Sequence, residues 1–548
     1  MRIALLLIVS FLLIGQAFAQ STDFPLEHAA YQILDKADVN GEGSFYSTFK
    51  PYSRKSVHDF LGAEAGNYLR KEMKEFSMDS TKSANPVLKK LFVYPEDFFY
   101  YHDKNLDLHV NPALQFSVGN SSEAGSGTLF VNSRGVEIRG TIDDKVAFYT
   151  FLSENQARYP QYVNAVRDST LVVPYEGFWK QFSGSGVDFL RAQGYVDFGL
   201  SKSISAQLGY GKHFVGNGVR SLILSDYSNN YPYLRINTET KIFQYTNVFA
   251  ELIADVQGGT FGILGVGGFS KKYLAFHHLN VKVRPNLSLG LFESVMYGDS
   301  TGGLKLEYLN PIIFYRAIEQ QNGSEDNAIV GLDFKWNIKN SVSLYGQLVI
   351  DELLVGEVFS GNGSWVNKQG IQFGAKYMDA LGVSDLMLQG EVNKVRPYTY
   401  AHEDGFTNYS HYNLALAHPL GANFTEYLGR ATYRLSEKWN FEGVVMLAKY
   451  GDDIGGVNFG RDILKDYTMR RPDGNGGSLE FGNDHLQGNE TDLTIAFLRT
   501  SYMWKHNLFI DIDATIRNEK NEDQSVDISS AILGLSLRWN IQSRRFLF

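Results

Sequence analysis

Cysteine is absent from the 548 residues, which excludes a disulfide scaffold, a thiol nucleophile and a lipid anchor carried on cysteine. Proline is scarce, at 13 residues. Long apolar runs are missing too: after Ile3–Ile14 nothing approaches the roughly 18 residues of a spanning helix. That one run follows Arg2 and precedes Ala17-Phe18-Ala19, so residues 1–19 read as a secretory signal removed before Gln20. Basic residues do not predominate, and the net charge of −9 argues against a nucleic-acid partner. Metal and catalytic signatures are weak. His277 and His278 are neighbours on a strand pattern, so they point to opposite faces and cannot chelate together. His402-Glu403-Asp404 and Asp452-Asp453 read as solvated loop tips with at most weak calcium affinity. The G-x-S-x-G match at Gly298–Gly302 opens a long loop, where a nucleophile elbow needs a strand-to-helix turn. No catalytic residue, metal or cofactor is expected.

What the chain has in quantity is glycine (53), phenylalanine (38) and tyrosine (32), the composition of aromatic girdles and bent strands. From about Leu106 the hydrophobic period is two. Leu190, Ala192, Gly194, Val196 and Phe198 alternate with Arg191, Gln193, Tyr195 and Asp197, and after a short turn Ile204, Ala206, Leu208 and Tyr210 resume the apolar face. Leu508, Ile510, Ile512, Ala514 and Ile516 alternate with Asp511, Asp513, Thr515 and Arg517 in the same way. About 18 such segments follow one another, with short links such as 200–203, 339–341 and 505–507 alternating with long ones such as 154–186, 297–326 and 451–491. The fold class expected is therefore an all-β transmembrane barrel of about 18 antiparallel strands with a small N-terminal helical periplasmic subdomain. Its parts would be the signal at 1–19, a helical region at 20–105 and the barrel at 106–548. Phe546 and Phe548 near the end fit a substrate for outer-membrane insertion, which places the protein in the outer membrane of a Gram-negative bacterium.

Within 20–105, Leu26–Leu34, Val57–Phe76 and Pro86–Phe92 have helical spacing. This region is read either as a solvated subdomain or as a cap or plug for the barrel. Inward charges such as Arg191, Asp197, Asp333, Lys335, Glu426, Asp511, Arg517 and Arg538 must face the lumen, because lipid cannot solvate them. They suit either ion pairs that brace the wall or a solute path. In the long loops, Arg220, Asp226, Tyr231 and Tyr233, with Tyr308, Asn310, Tyr315 and Arg316, combine aromatic faces that stack on sugars with groups that hydrogen-bond hydroxyls. The same residue types also serve as girdle and turn residues. An apolar Leu222-Ile223-Leu224 in an external loop points to a loop folded inward, carrying Arg220 and Asp226 with it.

The stretch Gly211-Lys212-His213-Phe214, then Gly216-Asn217-Gly218 and Ser221-Leu222-Ile223-Leu224-Ser225, resembles the signature of the Wzi capsule-assembly family of outer-membrane barrels. Glu293–Gly298 and Leu309–Phe314 look like the family's next segments. The likeness covers about 185–350, and the length of the amino-terminal part is closer to the gliding-motility RemB branch. Lys212-His213-Phe214 departs from the commoner Arg-x-x-x-Trp form. The resemblance implies a barrel with a periplasmic helical bundle and a non-enzymatic role in binding or organising capsular or surface polysaccharide. Its alternatives are a motility, adhesion or secretion component that binds protein partners, and a solute-specific channel. Partners expected are outer-membrane lipid and surface polysaccharide.

Overall fold

Alternating side chains settle one apolar and one polar face along each strand, and closing such a sheet on itself leaves no edge for lipid to solvate. The computed structural model describes residues 20–548 apart from 42–44, 63–64, 77–81, 84–85, 124, 257–268, 299–302, 312–313, 316–325, 353 and 524. The signal segment, Arg316 and most of the 298–302 motif lie outside the described residues.

Eighteen strands form a closed antiparallel barrel. In order they are β1 Leu106–Ser121, β2 Leu129–Ile142, β3 Val146–Arg158, β4 Gly186–Gly199, β5 Ile204–Gly211 and β6 Tyr231–Glu239. Then come β7 Phe243–Asp255, β8 Ser270–Arg284, β9 Leu287–Tyr297, β10 Asn327–Ile338, β11 Val342–Glu352 and β12 Lys368–Tyr377. The last are β13 Leu386–Val395, β14 Phe424–Arg434, β15 Trp439–Asp452, β16 Asn489–Lys505, β17 Leu508–Asn521 and β18 Asp527–Trp539. Closure pairs β18 with β1, Leu533 opposite Asn120. On β17, Ile512 and Ile516 are each 53% exposed, while Asp511 between them and the turn is fully buried and holds Arg538 of β18. The outer face is thus apolar and the inner face carries the charge, as a transmembrane barrel requires. Trp336, Trp439 and Trp504 stand exposed where strands meet short turns, forming an aromatic girdle at that end.

The amino-terminal region fills the lumen at the short-turn end. It contains α1 Ala30–Asn40, α2 Arg54–Leu61 and α3 Asn67–Glu72. Ser53 caps α2 by accepting from the Ser56 N–H at 3.2 Å, and Gly41 ends α1 in the left-handed conformation. Phe24, Leu34, Val57, Leu69 and Met73 make a small core of their own. Its acids meet the bases of the inner wall: Asp23 with Arg235 at 2.9 Å, Asp35 with Lys376 at 2.6 Å, Glu75 with Arg139 at 2.9 Å, and Asp38 with Lys335. These contacts favour the plug over the solvated subdomain. Wall-to-wall pairs also occur, as between Arg499 and Asp513 at 2.5 Å.

One expectation is corrected. Pro86–Phe92 is not helical: Val87 and Leu91 bridge across a tight turn in which Leu88 and Lys89 have positive φ. The last strand stops at Trp539, short of Phe546 and Phe548. Residues 541–548 turn back into the lumen instead, where Phe548 is 5% exposed among aromatic rings.

Candidate functional site

The loop after β5 enters the barrel, and each signature residue has a local reason. Lys212 donates to the carbonyl oxygens of Tyr175, Asp226 and Ser228, all at 2.9 Å, tying the two ends of the loop to a neighbouring one. Burial pushes its amine down to about 7. His213 stacks edge-on to Tyr233 and bonds the Tyr231 hydroxyl at 3.1 Å. Phe214 and Val215 then pair as a two-residue strand with Phe49 and Lys50 of the plug, so plug and loop meet inside the barrel.

Beyond that strand the chain reaches the opposite wall. Gly216 has φ +136°, and a Cβ there would stand 2.5 Å from the Gln347 amide. At Gly218 a Cβ would come within 2.4 Å of the Glu391 carboxylate and 2.8 Å of the Arg220 carbonyl. Glu391 accepts the successive N–H groups of Val219 (2.8 Å) and Arg220 (3.1 Å). Ser221 accepts from the N–H groups of Ile223 and Leu224 and donates to Val215 O, closing the turn on itself. Leu222, Ile223 and Leu224 are buried, and Tyr400 and Tyr409 donate to the carbonyls of Leu222 and Ile223 at 2.6 and 2.8 Å. Ser225 donates its backbone N–H to Leu416 O at 2.7 Å. The inward fold expected from Leu222-Ile223-Leu224 is what the structure contains.

Arg220 is carried in as well, and there it is fully engaged. Its Nε and Nη2 reach Glu426 Oε1 at 3.1 Å, and Nη2 also reaches Leu547 O. Glu426 accepts in addition from Asn393 at 2.8 Å and meets His418 at 3.0 Å. Burial opposes the charge of Arg220, but Glu426 beside it holds the guanidinium above its ordinary value. Asp226 is half-buried within the same loop and borders a small interior pocket with Arg191 and Arg544.

The residues named from sequence do not come together. Arg220, Asp226, Tyr231 and Tyr233 are inside the barrel. Tyr308 and Tyr315 lie on its outer wall, packed on Phe249, Ala275 and Val295, whose side chains point outward. Asn310 is exposed on that outer loop. The barrel wall separates the two groups.

A cavity of about 650 Å³ opens instead at the long-loop end. Across it runs a row of alternating charge and aromatic ring. Asp452 pairs with Arg461, whose guanidinium lies 3.6 Å over the Tyr450 ring, and Tyr450 donates to Glu519. Glu519 pairs with Arg517 at 2.9 Å, and Arg517 lies over the ring of Tyr162. Gln161, Asn413 and Tyr227 also line the cavity. Asp452, Arg461, Glu519 and Tyr162 are partly exposed to it. Period and motif missed this row, because its members come from α4 Gln161–Thr170, β15, the loop after β15, and β17. Arg517 was legible as an inward strand charge and Asp452 as a loop acid, but nothing local joins them.

No protein-family model matches the chain, and no curated protein matches its sequence. Among solved structures the chain is similar to Wzi of Escherichia coli, an outer-membrane protein involved in group 1 capsule assembly and a carbohydrate-binding β-barrel. The two share 11% identity over 96% of this chain and 100% of that one, with a TM-score of 0.54. Pseudomonas aeruginosa OprD is also similar, at 12% identity over 81% of this chain and 96% of that one, with a TM-score of 0.43.

Proposed function

We propose that the protein is a non-enzymatic outer-membrane barrel that binds or organises capsular or surface polysaccharide at its mouth. The observation that carries this reading is the row Asp452–Arg461–Tyr450–Glu519–Arg517–Tyr162 in the long-loop cavity. A sugar presents C–H surfaces and hydroxyls, and the row offers the partly exposed Tyr162 ring beside the donors and acceptors of Arg461, Asp452 and Glu519. The cavity is about 650 Å³, within the range of small-ligand sites and able to take a few sugar residues of a longer chain. The barrel-wide likeness to Wzi supports the same reading. Arg220 does not line this cavity; it holds the inward loop through Glu426.

The test uses cells that lack the gene and are complemented with wild type or with Arg461→Ala, Tyr162→Ala or both. Fluorescently labelled surface polysaccharide should be retained by wild-type cells and about tenfold less by the double variant, the equivalent of about 1.4 kcal/mol. Equal retention by deletion and wild-type cells would sink the proposal.

A further inference from the structure

On the outer wall of the barrel, polar side chains of β7, β8 and β9 stand side by side in one row. Counting outward positions up β17 from its short turn gives Leu508, Ile510, Ile512, Ala514 and Ile516, all apolar. The same count up β9 gives Leu287, Leu289, Leu291, then Glu293, then Val295. Glu293 stands directly opposite His277 of β8, and His277 opposite Asn247 of β7. Tyr245, one outward position below Asn247, joins the group through a hydrogen bond to His277. A carboxylate, an imidazole and an amide in one row across three strands would face acyl chains, which cannot solvate them.

They do not meet acyl chains, because residues 303–311 with Phe314 and Tyr315, from the connection between β9 and β10, lie over them. Tyr315 donates its N–H to Glu293 at 2.8 Å and sets its ring 4.2 Å from that of His277. Tyr245 donates to Pro311 O at 2.5 Å. Tyr308 packs against Tyr297 and bonds Asp326 at 2.7 Å, and Lys305 also pairs with Asp326 at 2.7 Å, which pins the segment at the foot of β10. His277 and Asn247 are left 6% and 2% exposed. The segment's own outer surface is apolar at Leu304, Leu306 and Phe314, the last two 76% and 78% exposed. They continue the outward face on which Leu289 and Leu291 stand bare.

We propose that residues 303–311, with Phe314 and Tyr315, form an external clasp that seals this polar row and seats Leu306 and Phe314 among the acyl chains of the outer leaflet. The clasp is therefore a lipid-facing part of the barrel, and its tyrosines serve the wall. Continuity with the apolar belt selects lipid as the occupant over a solvated glycan or protein partner.

The cysteine-free chain allows a clean test. Single-cysteine variants Leu306→Cys and Phe314→Cys, spin-labelled and reconstituted in bilayers, are compared with lipid-facing Leu289→Cys and with Asn475→Cys on an exposed loop. Both clasp positions should match Leu289→Cys, with high accessibility to oxygen and low accessibility to a water-soluble nickel chelate. A nickel accessibility at either position matching Asn475→Cys would overturn the proposal. If Leu306→Cys fails to fold, Phe314→Cys alone decides by the same criterion.

Discussion

Arg220 and Glu426 share a place from which water is excluded, so each depends on the other to keep its charge there. Removing one partner of such a pair typically costs about 3–5 kcal/mol, because the other is left buried and uncompensated. Arg220→Ala should therefore loosen the inward loop, read as faster proteolysis within residues 212–230 while the barrel keeps its heat-resistant migration on gels. Proteolysis at the wild-type rate would show that Asn393 and His418 suffice for Glu426. Sequence made the loop's direction legible at this scale, because three successive buried apolar residues have no business in water. It did not reveal Glu426 as the partner, since the pair is joined across the lumen by residues 206 positions apart. Tyr308 and Tyr315 were visible as loop aromatics, but their outward placement depends on a polar row spread over three strands.

Among the elements, the segment 541–548 and the plug depart furthest from what periodicity conveys. The segment is held by Arg544 on Glu176 at 2.9 Å, Arg545 on Glu442, and Arg517 on Phe548 O at 3.2 Å. Burial opposes ionisation of Glu176, yet Arg544 and Arg191 beside it hold its carboxyl down at about 2, below its ordinary 4.5. A depressed carboxyl stabilises the folded form above the ordinary value and loses that contribution as pH falls toward the lowered one. The clamp should thus be intact above about pH 4.5 and weaken toward pH 2. A spin label on Gln542→Cys should be immobile at pH 6 and gain mobility near pH 2.5, toward the low end of that window. Mobility that is already high at pH 6, or unchanged at both values, would remove Glu176 from this role. The strands themselves were legible because each carries the period of two. The plug's helices were less so: α1 starts at Ala30 rather than Leu26, and its buried face is fixed by wall bases such as Lys335 and Lys376.

For the whole molecule, the alternation of short and long links carried the architecture, and the strand count of 18 follows it. What lay beyond reach was the state of the lumen. Inward charges on one strand look the same whether they line a water path or meet a plug, and only the acids of residues 23–75 decide between them. In the folded chain those acids and the inward loop meet at Phe49–Lys50 and Phe214–Val215, midway along the barrel. On the proposed function, the barrel is closed at that level and its mouth holds the site. The most direct measurement is conductance in planar bilayers, of the full protein beside a variant lacking residues 20–105. The wild-type protein should give no ion conductance and the truncated one should give steps of current. Sustained conductance from the wild-type protein would contradict the sealed barrel on which this account rests.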